Sequence, residues 1–271
     1  MEICEVSDMV FLALLLTRNG AGDYWDDVDR WVRNMYTEGQ MTNADFSTRI
    51  PDRYLSASTA AYKDARDIAL RSVGSFYGWT RANDGLMVFG GDDGEEKLSS
   101  PGIMHCCIAN GARTLYHVWD SIASKHGDEC RVHLLLNRAS EWLDVYSYLP
   151  VQGRVVLKIK RAGRVAVRVS EWVTLGEVSA AVGREKADTR PEGRYVAIGG
   201  LKAGDEVELT FPVPERTLHR VLGRRPYKFT LRGSNVVAMD PSGVAYPLYQ
   251  HQPTGKLVGK TCFVPSKRVI W

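Results

Sequence analysis

The sequence changes its hydrophobic period near residue 130, and this change limits the folds open to the chain. Before that point, apolar residues recur at the three-to-four-residue spacing of amphipathic helices. After it, segments such as RVVLKIK, RVAVRVS and EVELTF alternate apolar and polar residues between Gly, Pro and Asp turns. We therefore predict an α + β multidomain protein, with a helical domain over residues 1–128 and an antiparallel β-sandwich over residues 129–271.

Four helices are predicted in the first part. The first runs from Glu2 to Arg18, deeply buried, and the second from near Asp23 to Gly39. A third lies within SASTAAYKDARDIALRSVG, and a fourth runs from the paired cysteines to about Lys125. The Gly- and Asp-rich stretch between residues 74 and 102 is predicted to be a long loop.

These helices have broader apolar faces than four helices can cover for one another. Two explanations stay open. Either the helices pair with another chain, for example in a homo-oligomer, or the chain is the back half of a longer protein.

Composition excludes some functions. With 35 basic and 32 acidic residues among 271, the net charge is only +3, which makes nucleic acid a poor first candidate as partner. The apolar run MVFLALLL is too short to span a bilayer, and the acidic residues around it are unlike a secretion signal. We predict no membrane partner and a cytoplasmic location.

The five cysteines are odd in number and unevenly spread, so they do not form a disulfide framework, and a reducing environment is predicted. Cys106 and Cys107 are adjacent at one predicted helix start, and Glu2 and Cys4 lie at another. Thiolates with one carboxylate suit zinc, and the two pairs would converge if these helices pack end to end. The alternative is that the thiols are packed and inert, because free cysteines are among the most buried residues.

The chain resembles the C-terminal half of glycoside hydrolase family 127 in three segments and in the β-rich tail that follows them. The segments are EICEVSDM, GDYWDDVDRWVRNM and HCCIANGARTLYHVWDSI. This family includes bacterial β-L-arabinofuranosidases. The resemblance implies part of an (α/α)6 barrel, also called the six-hairpin glycosidase fold, followed by a β-sandwich. It also implies a Zn2+ ion held by Glu2, Cys4, Cys106 and Cys107.

In the chemistry that the resemblance implies, Cys106 is the nucleophile of a retaining glycosidase acting on an arabinofuranoside or related glycan. The family's acid/base glutamate is expected upstream of the Glu-x-Cys motif, and this chain starts one residue before that motif. We therefore expect the acid/base to be absent, and activity of the chain alone stays open. The alternative is a non-catalytic zinc-stabilised or carbohydrate-binding module.

Three further residues are candidates for sugar contact. Tyr77 and Trp79 could stack on a sugar ring or cover the core, and His105 could contact a sugar or cap its helix. Along the fourth helix, Tyr116 and Trp119 have the spacing of core residues. The remaining cysteines, Cys130 and Cys262, are predicted to be structural.

Overall fold

The computed structural model describes residues 2–44, 70–85, 88–90, 96–98, 104–243, 246–250 and 263. Its helices are α1 (Ile3–Arg18), α2 (Trp25–Trp31), which continues into a π-helical turn (Val32–Tyr36), and α3 (His105–Ser121). Its strands are β1 (Val88–Gly90), β2 (Glu96–Leu98), β3 (Ala123–His126), β4 (Glu129–Val132), β5 (Arg138–Ala139), β6 (Leu143–Ser147), β7 (Arg154–Ile159), β8 (Gly163–Arg168), β9 (Ser179–Val182), β10 (Glu185–Lys186), β11 (Arg190–Glu192), β12 (Tyr195–Leu201), β13 (Glu206–Thr210), β14 (Glu215–Leu222), β15 (Arg225–Arg232) and β16 (Asn235–Asp240).

The chain forms two compact units. The first comprises Met1–Val118 and Glu215–Gln252, and the second comprises Trp119–Pro214 and Pro253–Trp271. This division differs from a single cut at residue 128, because strands β14 to β16 belong with the helices of the first unit.

In the first unit, α1 and α3 lie side by side and run in the same direction. Contacts join successive turns of both helices: Asn110 Nδ2 donates to Asp8 Oδ1 at 3.0 Å, and the rings of Phe11 and His117 are 4.4 Å apart. The two N-termini therefore lie at the same end of the pair.

The predicted first helix is confirmed, and Asn19 follows its last turn. The prediction that this helix is deeply buried is wrong for one face. Met9, Leu12 and Leu15 are exposed on that face, whereas Val10 and Leu14 are buried. The same holds for α3, where Tyr116 and Trp119 are exposed instead of lying in the core. Helical spacing identifies an apolar face but does not show whether the chain covers it.

Strands β14, β15 and β16 form an antiparallel sheet in that order. Asn34 connects it to the π-helical turn, because its amide donates to the Ser234 carbonyl at 2.8 Å and accepts from the Val236 N–H at 2.7 Å. Side chains of the sheet, with Leu248 and Tyr249, form a small buried cluster.

The second unit contains two larger sheets, with strand orders β10-β9-β13-β7-β6-β5 and β11-β12-β8-β4-β3. All described pairings are antiparallel except β4 with β8, which is parallel. Val155, Leu157, Val165 and Val167 on the central strands are buried. These sheets are consistent with the predicted β-sandwich.

The boundary between helix and strand lies earlier than predicted. α3 ends at Ser121, and residues 123–126 form β3 instead of a last helical turn. β3 pairs with β4 across a turn in which Gly127 has φ +57°, a conformation that glycine adopts without strain. Pairing with β4 therefore outweighs the local helical pattern.

Most of the predicted third helix, through residue 69, lies outside the described residues. The predicted loop between residues 74 and 102 contains an antiparallel pair, β1 with β2. The described helices do not define an (α/α)6 barrel, so the barrel stays a prediction. None of them combines the length and apolar character needed to cross a bilayer.

Candidate metal centre

The start of α1 is fixed by an extended segment that lies beside it. The Ile3 N–H donates to the Gly78 carbonyl at 3.0 Å, and Glu2 forms an isolated antiparallel bridge with Trp79. Ile3 is completely buried, which anchors the first turn of the helix. Glu2 and Cys4, on either side of Ile3, therefore have well-defined positions.

The start of α3 is fixed by close packing around Gly111. A Cβ atom at this position would lie 2.5 Å from a ring carbon of Phe76, so only glycine allows the helix to approach this ring. The Tyr36 hydroxyl donates to the Gly111 carbonyl. These contacts position the first turn of α3, where Cys106 and Cys107 lie.

The four predicted ligands converge at the two helix N-termini. The ligand atoms of Glu2, Cys4, Cys106 and Cys107 all lie within 4.8 Å of one another. The Cys107 Sγ is central: it lies 3.1 Å from Cys4 Sγ, 3.8 Å from Cys106 Sγ and 3.6 Å from Glu2 Oε1. The two pairs meet because α1 and α3 lie side by side with adjoining N-termini, and not end to end as predicted. That these four residues hold an ion stays a prediction.

These separations fit a tetrahedral zinc site. With Zn–S bonds of about 2.3 Å, neighbouring sulfur ligands of a tetrahedron lie about 3.8 Å apart. The separation of the Cys106 and Cys107 sulfurs matches this value, and the Cys107–Glu2 separation is close to it. The Cys4–Cys107 pair is closer together and would have to open by about 0.7 Å around an ion. Three sulfurs and one carboxylate are a donor set that zinc accepts.

Burial controls the ionisation of two of these thiols. It raises the pKa of the Cys107 thiol, and it also raises the pKa of the Cys4 thiol. Both thiols therefore keep their protons at neutral pH, and the Cys4 S–H donates to the Cys107 sulfur. A bound cation reverses this preference because it stabilises thiolates.

A polar network supports the site from the surface side. Asn110 donates to the Cys4 carbonyl at 3.4 Å and to Asp8, and Arg113 donates to the Asn110 side-chain oxygen at 2.5 Å. Asp8 thus joins the two helices one turn beyond the ligands.

The candidate sugar-contacting residues have different environments. His105 is exposed at the first position of α3, beside Cys106, and Trp79 is 36% exposed beside Glu2. Tyr77 is completely buried and its ring packs edge-on against Tyr246, so it has no face open to a sugar. Tyr77 is therefore corrected from a candidate sugar contact to a core residue.

The remaining cysteines lie away from this cluster or outside the described residues. Cys130 is buried on β4, as expected for a structural residue, and Cys262 lies outside the described residues. Sequence reasoning missed the role of Gly78 and the backbone of Trp79 in holding Glu2. No local pattern marks this role, because it depends on a backbone bridge between distant segments.

The described fold is similar to that of several solved structures. The chain is similar to a GH127 β-L-arabinofuranosidase from Geobacillus stearothermophilus T6, with 20% identity, a TM-score of 0.55 and coverage of 87% of this chain and 36% of that one. It is also similar to a second GH127 β-arabinofuranosidase, with 18% identity, a TM-score of 0.59 and the same coverage. A structure described as a glycoside hydrolase matches at 15% identity and a TM-score of 0.51, covering 79% of this chain and 33% of its own.

The described fold is therefore a partial GH127-like fold, as the resemblance predicted. The chain spans about a third of the length of the solved structures that it matches. At these identities the likeness establishes the fold alone. No family model and no curated protein matches the sequence.

Proposed function

We propose that this chain is the zinc-binding segment of a retaining glycosidase of the β-L-arabinofuranosidase type. The observation that carries the proposal is the convergence of Glu2, Cys4, Cys106 and Cys107 at the adjoining N-termini of two parallel helices. The GH127-like fold supports a carbohydrate as substrate.

The four converging side chains would hold the ion. Bound zinc would keep the thiols ionised at neutral pH and so supply a reactive sulfur. The partial positive charge at the N-terminus of α3 would also favour the thiolate form of Cys106.

Exposure distinguishes the nucleophile from the other thiols. Cys106 is exposed, whereas Cys107 is buried and Cys4 is half-buried. Among these three cysteines, Cys106 is therefore the one most accessible to a ligand in solvent. His105 and Trp79, on either side of the cluster, are the proposed contacts to the sugar.

In the first step, the Cys106 sulfur attacks the anomeric carbon, a C–S bond forms and the glycosidic C–O bond breaks. The leaving oxygen takes a proton from a general acid. In the second step, water attacks the same carbon, the C–S bond breaks, and the proton of the water passes to the conjugate base of that acid. Two displacements at one carbon retain its configuration.

The resemblance assigns no residue of this chain to that acid/base role. We propose that a glutamate from a further polypeptide segment supplies it. Turnover by this chain would then depend on that segment.

A second candidate is a non-catalytic module stabilised by zinc or binding carbohydrate. The number of ligands favours it, because four protein ligands are typical of closed, structural zinc sites. The two candidates differ in what Cys106 does: a structural site needs it only as a ligand, whereas the glycosidase needs it to react.

The first experiment is elemental analysis of zinc in the purified chain, with Cys4→Ser and Cys106→Ser beside the wild type. Cys130→Ala is the matched control, because Cys130 is also a free cysteine but lies outside the cluster. We expect about one zinc per chain, retained in the control and lost in both site variants. A folded wild type without zinc would refute the site.

A second experiment separates the two candidates. A β-L-arabinofuranoside with an activated aryl leaving group, which departs without a general acid, is incubated with the zinc-loaded chain, and intact mass is measured after rapid quenching. An added mass of one pentosyl group on Cys106 supports the glycosidase. A zinc-loaded protein that binds the sugar without this adduct or any turnover supports the module.

A further inference from the structure

The hairpin formed by β14 and β15 carries more positive charge than the protein as a whole, +5 against +3. Residues 215–232 include six basic residues and one acidic residue, Glu215. The rest of the chain then has 29 of the 35 basic residues and 31 of the 32 acidic residues, so it is slightly negative. The basic residues of the hairpin are Arg216, Arg220, Arg224, Arg225, Lys228 and Arg232.

This charge is presented to solvent. Seven of the eight residues of β14 are exposed, as are Arg224, Arg225 and Lys228 around the turn and on β15. β14 is the edge strand of its sheet and pairs only with β15 among the described strands. Gly223, with φ +64°, allows the tight turn that brings Leu222 opposite Arg225.

Three of the hairpin's cations, Arg220, Arg224 and Lys228, form no ion pair with the described residues, although Asp240 lies opposite Lys228 in the strand register. Arg220 donates to the His219 carbonyl. Arg216 and Arg220 lie on the same face of β14, about 13 Å apart at the usual rise of a strand. The hairpin thus presents a row of cations along an exposed ribbon.

Charges on an edge strand also prevent it from pairing with other chains. That protection works with charge of either sign, and mixed signs would serve it equally well. A cluster that is almost wholly positive instead points to an anionic partner.

We propose that this hairpin binds a polysaccharide that carries carboxylate groups. Five of the six cations are arginines, whose planar guanidinium matches a carboxylate through two parallel hydrogen bonds. A single-stranded nucleic acid would need exposed aromatic faces for base stacking, but Tyr227 is buried and Phe229 is only partly exposed. The choice of a polysaccharide rests on the glycosidase proposed above.

The test is binding of polygalacturonate to the full chain by titration calorimetry between 50 and 300 mM salt, with neutral arabinan and a DNA duplex of similar charge as comparison probes. The variant Arg220→Gln/Arg224→Gln is compared with the control Arg184→Gln/Arg190→Gln. The control also removes two positive charges, but from a different hairpin. Arg184 resembles Arg224 in following a positive-φ glycine, Gly183, in a hairpin turn. Thermal melting checks that all variants are folded.

We expect the hairpin variant to bind polygalacturonate about tenfold more weakly at low salt. The slope of log K against log salt concentration should also be smaller in magnitude for this variant, by about one to two. The control should bind as the wild type does. Equal weakening by both variants, no binding of polygalacturonate, or tighter binding of the duplex would overturn the proposal.

These outcomes are separate from those of the proposed function. Binding of polygalacturonate through the hairpin by a protein without zinc or sugar adduct would leave this proposal standing while the glycosidase fails. A zinc-dependent glycosidase that does not bind the polymer would support the proposed function and overturn the proposal for the hairpin.

Discussion

The Cys4 and Cys107 sulfur atoms lie 3.1 Å apart, although 103 positions separate the two residues in the chain. This contact joins the first turns of α1 and α3 and creates the centre of the candidate metal site.

Zinc should stabilise the protein in a pH-dependent manner. Because burial raises the pKa of the Cys4 and Cys107 thiols, zinc must displace their protons, so its apparent affinity should increase by at least about tenfold per unit of pH between 6 and 8. At pH 7.5, zinc at 100 times its Kd should stabilise the fold by about 2.7 kcal/mol, measured as a shift in urea midpoint. Cys130→Ala should keep this response and Cys107→Ser should lose it; an affinity that does not vary with pH would contradict the assignment of thiol ligands.

Gly111→Ala should destabilise the first unit by about 1–3 kcal/mol, because the added methyl group would lie 2.5 Å from the buried ring of Phe76. Zinc affinity should fall with it, since the same packing positions Cys106 and Cys107. The control is Gly199→Ala, whose methyl group would have no heavy atom within 4 Å. Urea unfolding and zinc titration provide the two measurements, and equal stabilities of the two variants would refute the packing role.

Asp29→Ala should cost about 3–5 kcal/mol, because its carboxylate pairs with Arg33 at 2.6 Å and both side chains are only 6% exposed. The substitution removes the carboxylate that pairs with the buried Arg33 guanidinium. On the same helix, Asp27 pairs with Arg30 at 3.0 Å at the surface, so Asp27→Ala should cost less than about 0.5 kcal/mol. Comparing the two urea midpoints tests whether burial of the pair sets the cost.

Stability should decrease above about pH 10. Burial raises the pKa of Tyr36, Tyr77 and Tyr249 in the folded protein above the value near 10 of an unfolded tyrosine. The unfolded state therefore loses these protons first, and the stabilisation that is complete below pH 10 is lost as the pH rises further. Urea midpoints from pH 8 to 11 measure this decrease, which should be smaller in Tyr249→Phe; tyrosinate absorbance that develops fully before unfolding would contradict it.

The exposed face of α1 should bind apolar dyes. Met9, Leu12 and Leu15 are 40–56% exposed along one side of the helix. Met9→Lys/Leu12→Lys should reduce dye fluorescence and increase solubility, while stability changes by less than about 0.5 kcal/mol per substitution. Val10→Ala, at a completely buried position of the same helix, should instead lower stability without reducing dye binding. Unchanged dye binding in the double variant would place the dye site elsewhere.

The sequence by itself determined the helix α1, the segment that contains α2 and most strands after residue 140, whereas the choice of the four candidate ligands rested on resemblance to a known family. These helices and strands depend on local hydrophobic period, which neighbouring residues are enough to specify. β14 was missed because its residues are almost all exposed and lack an apolar alternation.

Only the tertiary structure decided which distant residues meet. It brought Glu2 and Cys4 to Cys106 and Cys107, buried Tyr77, ended α3 at Ser121 and returned β14 to β16 to the helical unit. Each outcome depends on contacts between segments far apart in the chain. Their free energies come from packing and strand pairing, which a local pattern does not contain.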